Sequence, residues 1–381
     1  GLTAARQRGD LLPSAAMMSR AVLVGACLMG CVDAAPLRSY DGYTFERYLA
    51  EFNKSYAPDE LPLRRARFEE SLQKVLAHNE EYAAHKQRWY MAVNHIADWT
   101  AAERAQLRGT KYGRSTAPVA RLRAAGANPE AIDWREKGSV TPVKNQGMCG
   151  SCWAFAAVET VESHYHIASG KLVKLSPQTY VDCVVNPDEC GGTGGCSGAT
   201  AELAFNLTVQ KGVALESDVP YEMKDESCPV FTPAVKAQSY VRLPTNDASA
   251  LETALATKGP VAVTVAADAW ELYGGGIFDG CGGSGNGDSV TLDHGVQAVG
   301  YAKDYWIVRN SWGHAWGEQG FIRISRASDS KTFPDKRPAD GSACRPYPDE
   351  QEVGGECGIL FDTSYPTGVA AAAVDAESIV V

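Results

Sequence analysis

Eleven cysteines stand among the 381 residues, and nine of them fall between Cys149 and Cys357. That density suits an oxidising compartment better than a reducing cytosol. Nine thiols cannot all pair, so a secreted chain of this kind is expected to keep one free. The other two, Cys27 and Cys31, lie in an apolar run from Ala21 to Val32. Met17, Met18 and Arg20 precede that run, and Asp33-Ala-Ala follows it. A basic residue, a short apolar core and small residues at a cut read as a secretory signal peptide over residues 17–34. Residues 1–16 are then an upstream, non-native leader. The run is too short to span a bilayer as a helix, and no other apolar stretch is long enough.

The formal charge of −10 hides an asymmetry. Residues 1–127 carry 18 basic and 13 acidic side chains, whereas residues 128–381 carry 18 and 33. A basic front and an acidic back suggest two parts that face each other. The acidic total argues against nucleic acid or an anionic membrane as partner.

Residues 40–110 read as helical. Glu60, Arg64, Phe68, Val75 and Asn79 recur along one helical stripe. A strand-like segment follows from Trp89 to Trp99, and residues 112–127 read as an exposed linker open to proteolysis. From Asn128 the texture changes. Helical signals at 152–168 and 198–210 precede alternating stretches near 260–265, 295–301, 305–309 and 320–324. Helices first and strands later predict an α+β protein of two subdomains. Residues 327–356, rich in Pro, Asp, Ser and Gly, read as a long surface excursion. Residues 367–381 read as a flexible tail.

The chemistry centres on Gln146-Gly-Met-Cys-Gly-Ser-Cys-Trp-Ala-Phe155. Cys152 follows small residues and opens a helical pattern that ends near Gly170. A thiol at a helix N-terminus feels the positive end of the dipole, which favours thiolate. An imidazolium beside it would lower its pKa further. His294, in Asp293-His-Gly, lies 142 residues downstream, within the spacing of about 130–150 residues that papain-like enzymes show. Asn310, in Arg-Asn-Ser-Trp-Gly, is placed to hold the other face of that imidazole. His164 and His166 are two apart on a helix and point to different faces, so no metal pair is expected. His78, His85 and His95 are expected in solvent. No cofactor or metal is called for. Asn53 and Asn206 stand in glycosylation sequons.

On these motifs the chain resembles the papain family of cysteine peptidases, in its cathepsin L-like form with pro-region, over residues 40–366. Glu60, Arg64, Phe68, Val75 and Asn79 match the family's pro-helix motif, with Ser71 where Asn is usual. Ala92, Asn94, Ile96 and Asp98 match its second pro-region motif loosely. Asp133-Trp-Arg matches the start of the mature enzyme. The resemblance implies a papain-like fold, with a helical left subdomain, a β-barrel-like right subdomain and a helical inhibitory pro-domain. It divides the chain into a pro-region and linker at 35–127 and a peptidase domain at 128–366, with maturation near 124–130. It implies Cys152 as nucleophile, His294 as base, Asn310 as its orienting partner and Gln146 as oxyanion donor, with Trp312 covering the Asn310–His294 contact. It also implies disulfides Cys149–Cys196, Cys183–Cys228 and Cys281–Cys357. Cys190 and Cys344 lie in insertions: they pair with each other, or one displaces a family bridge.

The resemblance places the walls of a P2 pocket at Thr200, Ala201, Thr264, Leu292 and Asp362, and adds Gly198, Ala199, Asp293 and Trp312 to the substrate-binding residues. Ala199 stands where the family has glycine, and its methyl is expected to crowd the substrate backbone. Asp362 falls at the pocket floor, where a carboxylate accepts a basic P2 side chain; the plainer expectation is that it turns to solvent. No inserted His pair of the carboxydipeptidase type is present, which favours an endopeptidase. A ligase or transglutaminase, and an inhibitory or storage relative, are the competing classes. The Gln146 and Asn-Ser-Trp contexts oppose the transglutaminase, and retention of Cys152 and His294 opposes the storage relative. Expected partners are peptide substrates, the chain's own pro-region and cystatin-like inhibitors. The protein is expected to be a monomer of the secretory pathway, lysosomal, vacuolar or secreted.

Overall fold

The stripe over residues 60–79 is the face by which a helix is buried. In the computed structural model, α1 (Phe45–Glu51) and α2 (Leu61–Ala83) precede strand β1 (Trp89–Met91) and the short α3 (Ala101–Ala105). Arg64, Phe68, Ser71 and Val75 are the buried residues of α2. Arg64 grips both oxygens of Glu103 at 2.6 Å, and Glu103 closes a capping box with Thr100 at the start of α3. Asn79 holds both backbone groups of Met91. Asp98 accepts from Tyr48, Tyr56 and Lys54. Both sequence motifs of this region thus hold its helices and strand together. The structure describes residues 37–109, 117–122, 126–281, 289–341 and 343–373. The expected leader and signal peptide lie outside them.

The second part begins with β2 (Ile132–Asp133), α4 (Cys152–Ser169), α5 (Pro177–Cys183) and α6 (Ala201–Gln210). Then come β3 (Val235–Lys236), β4 (Ser239–Arg242), α7 (Ala248–Thr257), β5 (Val261–Val265), β6 (Tyr273–Phe278), β7 (His294–Tyr301), β8 (Tyr305–Arg309) and β9 (Phe321–Ser325). The chain ends through β10 (Thr332–Asp335), β11 (Gln351–Gly354), β12 (Thr363–Thr367) and β13 (Ala370–Ala371). The main sheet runs β1-β6-β9-β8-β7-β5-β12-β4, with β2 also on β7. It is an open sheet with ends at β1 and β4, so the barrel-like expectation gives way to an unclosed one.

Two cores result. One gathers around the sheet, including Trp270, Trp306, Trp312, Trp316 and Val296. The other gathers around α4, α5 and α6, including Trp153, Val158, Tyr180 and Phe205. Every residue of α4 from Cys152 to Ser163 is buried, as befits a helix threaded through an interior. Its two buried carboxylates each face a cation. Glu159 faces Arg309 at 3.3 Å, Glu162 faces Lys144 at 3.3 Å, and Ser163 accepts from Gln297 at 3.0 Å. These bonds tie α4 to β7 and β8. At its far end Gly170, at φ 72°, caps the helix in the left-handed region.

Several loop expectations change. Pro118 and Ala120, expected in an exposed linker, hydrogen-bond both backbone groups of Arg242 on β4. Ala370 and Ala371, expected in the tail, pair with β3. The 327–356 excursion contains the β10–β11 hairpin, with Asp335 and Val353 fully buried. His78 and His95, expected in solvent, are half-buried instead.

Candidate functional site

Cys152 opens α4 in one core, and His294 opens β7 in the other. The candidate site therefore lies at the seam, where a hydrogen-bonded helix and a fully buried strand each fix one candidate side chain. Cys152 is buried and takes part in no disulfide. His294 Nε2 donates to Asn310 Oδ1 at 2.7 Å, and Oδ1 also accepts the Ser311 N–H at 2.8 Å. The Trp312 ring lies 4.9 Å from the imidazole, with Trp270 edge-on at 6.2 Å. All four side chains are sealed from water. That burial depresses the His294 pKa to about 4, with Asn310 and Asp293 opposing and Arg108 adding to it.

Gln146 is held from three sides. Its N–H reaches the Ser311 carbonyl, its carbonyl accepts from Tyr221, and its Oε1 accepts from Ser311 Oγ at 2.6 Å. Its amide N–H then donates to the Cys149 carbonyl at 2.9 Å and to the Leu107 carbonyl at 3.0 Å. Two residues on, the Gly109 N–H points at Cys152 Sγ at 3.3 Å. The front part of the chain thus lies directly on the residues that sequence reasoning picked as reactive.

Its grip is electrostatic and strand-like together. β1 adds antiparallel to the edge of β6. Asn94 donates to the Glu271 carbonyl. Arg104 and Arg108 reach Glu271 at 2.7 and 3.2 Å, and Arg108 reaches Asp293 at 3.1 Å. Burial nonetheless raises Asp293 to about 6 against the pull of Arg108. Leu107, Arg104, Arg108, Gly109 and Glu271 were not singled out from sequence. The net charges of the two halves were the only signal pointing toward them.

The remaining candidates are less alike than expected. Gly198, at φ 97°, admits no side chain, because a Cβ would stand 2.1 Å from the carbonyl oxygens of both Gly109 and Gly191. Ala199 is a buried member of the α4–α6 core, which corrects the expectation that its methyl crowds the groove. Thr200 caps α6, with Ala201 its first residue. Leu292 is buried against Phe333 and Val353 of the β10–β11 hairpin. Asp362 does not turn to solvent: it is 5% exposed and accepts from Thr264 Oγ1 at 2.8 Å. Glu202, missed in the sequence, lies within hydrogen-bonding reach of it. Burial, and then Glu202, push the Asp362 pKa well above the carboxylate range, while Thr264 and Arg242 oppose.

Among the described residues four disulfides are formed: Cys149–Cys196, Cys183–Cys228, Cys281–Cys357 and Cys190–Cys344. The last resolves the open choice for the two insertion cysteines.

Residues 128–337 match the family described as papain family cysteine protease, and residues 45–103 match the cathepsin propeptide inhibitor domain. The chain belongs to the papain family of cysteine proteases. It carries the family's propeptide as well, and so has the make-up of a zymogen. A cathepsin L-like proteinase of Phaedon cochleariae is 37% identical over 74% of this chain and 88% of its own length. The oryzain beta chain of Oryza sativa subsp. japonica is 39% identical over 79% of this chain. The match spans only 60% of that rice protein. Among solved structures, digestive procathepsin L2 of Tenebrio molitor superposes with TM-score 0.71 at 31% identity, covering 84% of this chain and 98% of its own.

Proposed function

We propose that the chain is the zymogen of a secretory-pathway cysteine endopeptidase in which Cys152 attacks the scissile carbonyl. One observation carries this reading. The amide of Gln146 holds a backbone carbonyl, Leu107 C=O, while Cys152 Sγ faces a backbone N–H two residues on. A site that grips peptide backbone at those two atoms is built to bind a polypeptide across its thiol.

In the reaction, Sγ forms a bond to the carbonyl carbon, and the oxyanion takes the place of the Leu107 oxygen at Gln146 and the Cys152 backbone N–H. His294 gives its proton to the leaving amine as the C–N bond breaks. Water then attacks the thioester, and His294 takes its proton. Nδ1 is the nitrogen that moves these protons, since Asn310 engages Nε2. Trp312 keeps water from that hydrogen bond. In the covered state burial holds the imidazole neutral; uncovering the site lets its pKa rise and favours the thiolate–imidazolium pair. An epoxide thiol probe at neutral pH should label the mature domain at Cys152 and leave Cys152→Ala unlabelled. Equal labelling of both would refute the assignment.

Substrate preference rests on the acidic pair. Glu202 and Asp362 are buried together, within hydrogen-bonding reach of each other. Two carboxyls that close hold a proton between them, and the charge appears as pH rises. An apolar P2 residue is then favoured in acid and a basic one nearer neutrality. The ratio of kcat/KM for Arg-Arg over Phe-Arg substrates should rise with pH. Asp362→Ala should flatten that rise and lower the ratio by about tenfold, the value of one charge-assisted contact. Identical profiles for the two enzymes would exclude a role for Asp362.

The four disulfides support an oxidising compartment, lysosomal, vacuolar or extracellular. Peptide substrates and cystatin-like inhibitors are the expected partners of a monomer. Among the described residues no helix is long and apolar enough to cross a membrane.

A further inference from the structure

The 327–356 insertion leaves the sheet core and crosses to the helical one. Its root is fixed beside the P2 wall. Val290 N–H donates to the Pro334 carbonyl at 3.0 Å, and Lys336 N–H to Ser289 Oγ at 3.3 Å. Gly341 lies so close to the P2 wall that a Cβ there would stand 2.5 Å from the Leu292 carbonyl oxygen. Three residues on, the chain is bonded to the other side. Arg345 N–H donates to the Asp188 carbonyl at 3.0 Å, Gly191 N–H meets the Ala343 carbonyl, and Cys344 is disulfide-bonded to Cys190. Arg345 also pairs with Glu189 at 2.7 Å. Ala343 and Cys344 are buried by this contact.

The two anchors stand on opposite walls of one groove. Leu292 is two residues before His294, on the sheet side. The Gly191 carbonyl and the Gly109 carbonyl converge on Gly198, on the helical side. Gly109 is the residue that lies on Cys152. The insertion therefore joins the walls at the end of the groove that also holds Gly198, Leu292 and Asp362.

We propose that residues 336–341 and 343–345 belong to a covalent strap across the cleft just beyond the P2 pocket, so that the enzyme reads substrate only as far as P3. This rests on the proteolytic reading above and on its placing of the P2 pocket. An extended peptide advances about 3.3 Å per residue. A chain reaching past P3 must therefore leave the groove at the strap or force it aside. A bridge between residues 154 apart in sequence resists the second course.

The test is subsite mapping on the processed enzyme. Peptides sharing one scissile sequence are blocked at P2 or P3, or extended to P6, and a matching set is extended on the primed side. Wild type should gain nothing from P4–P6, or fall about tenfold in kcat/KM, while primed-side extension is tolerated. Cys190→Ser with Cys344→Ser, and separately a variant with residues 337–347 replaced by a short Gly-Ser link, should accept P4–P6 while hydrolysing the P2-blocked peptide as wild type does. A wild-type rate that climbs severalfold from P3 to P6 overturns the proposal even if both variants misfold. So does an unchanged length profile in variants that still take the epoxide probe. Failure of wild type to cut any peptide would instead refute the proteolytic reading itself.

Discussion

Replacing Cys152 by alanine is expected to lower peptide hydrolysis by about 10,000-fold or more and to leave the zymogen full length at about pH 4.5. The magnitude follows from loss of the nucleophile, since oxyanion donors and binding alone retain only a small residue of catalysis. Self-processing of wild type in acid follows from His294. Burial in the zymogen lowers that pKa from the ordinary 6.5 to about 4, and Arg108 of the pro-region adds to the shift. Between those values the uncovered enzyme takes up a proton that the covered enzyme refuses. A depressed pKa in the covered state gives a grip that is complete above the free value and weakens as pH falls through the window, by at most about tenfold per unit. Arg108 reinforces this, being a cation next to the imidazole. The Arg108–Asp293 pair does not supply the same trigger, because burial has already raised that carboxyl. Glu103 acts in the same sense from within the pro-region. Its pKa is held at about 2 chiefly by Arg64, so its contribution fades as pH falls below the ordinary carboxylate range. Gel analysis of both zymogens across pH 4–7 decides the matter. Processing of Cys152→Ala at the wild-type rate, or wild type that stays intact while separately prepared mature domain is active, would count against this account.

Gly109→Ala is expected to unmask the enzyme before processing. A Cβ at this position would stand 1.9 Å from the Gly150 carbonyl oxygen and 2.5 Å from the Gly150 Cα. These are backbone atoms without room to retreat. Gly150 is itself pinned, its N–H on the Cys196 carbonyl and its neighbour Cys149 in a disulfide to Cys196. The segment must lift, and with it go the Gly109 N–H contact to Cys152 and the Leu107 carbonyl contact to Gln146. Losing two buried contacts of about 1–2 kcal/mol each implies roughly 100-fold faster probe labelling of the intact zymogen at neutral pH. Arg108→Ala should give a smaller gain, because its partners are partly exposed. If Gly109→Ala zymogen stays as silent as wild type, the close approach at Gly150 is not what holds the site shut.

Much of the site was legible because its parts are local. Cys152 follows Gly150-Ser151, a pattern that reads as a helix start. Asn310-Ser-Trp is contiguous, and the structure uses all three residues on His294 and Gln146. The stripe Glu60–Asn79 was legible for the same reason, since residues three and four apart share a helical face. Asp362 was placed at a pocket by resemblance, but not its burial, because Glu202 is 160 residues away in sequence.

The amino-acid sequence by itself determined the groups proposed as reactive, the helix that carries the thiol, the division into a basic front and an acidic back, and the odd cysteine count. All of these are properties of neighbours along the chain or of simple counts. The tertiary structure decided which carbonyl rests on Gln146, which carboxylates Arg104 and Arg108 find, that Asp362 shares its pocket with Glu202, and that Cys190 closes on Cys344. These are contacts between segments distant in sequence, and no local periodicity encodes them. They exist because two cores pack around one buried helix and leave a seam that the front of the chain and a late insertion both cross.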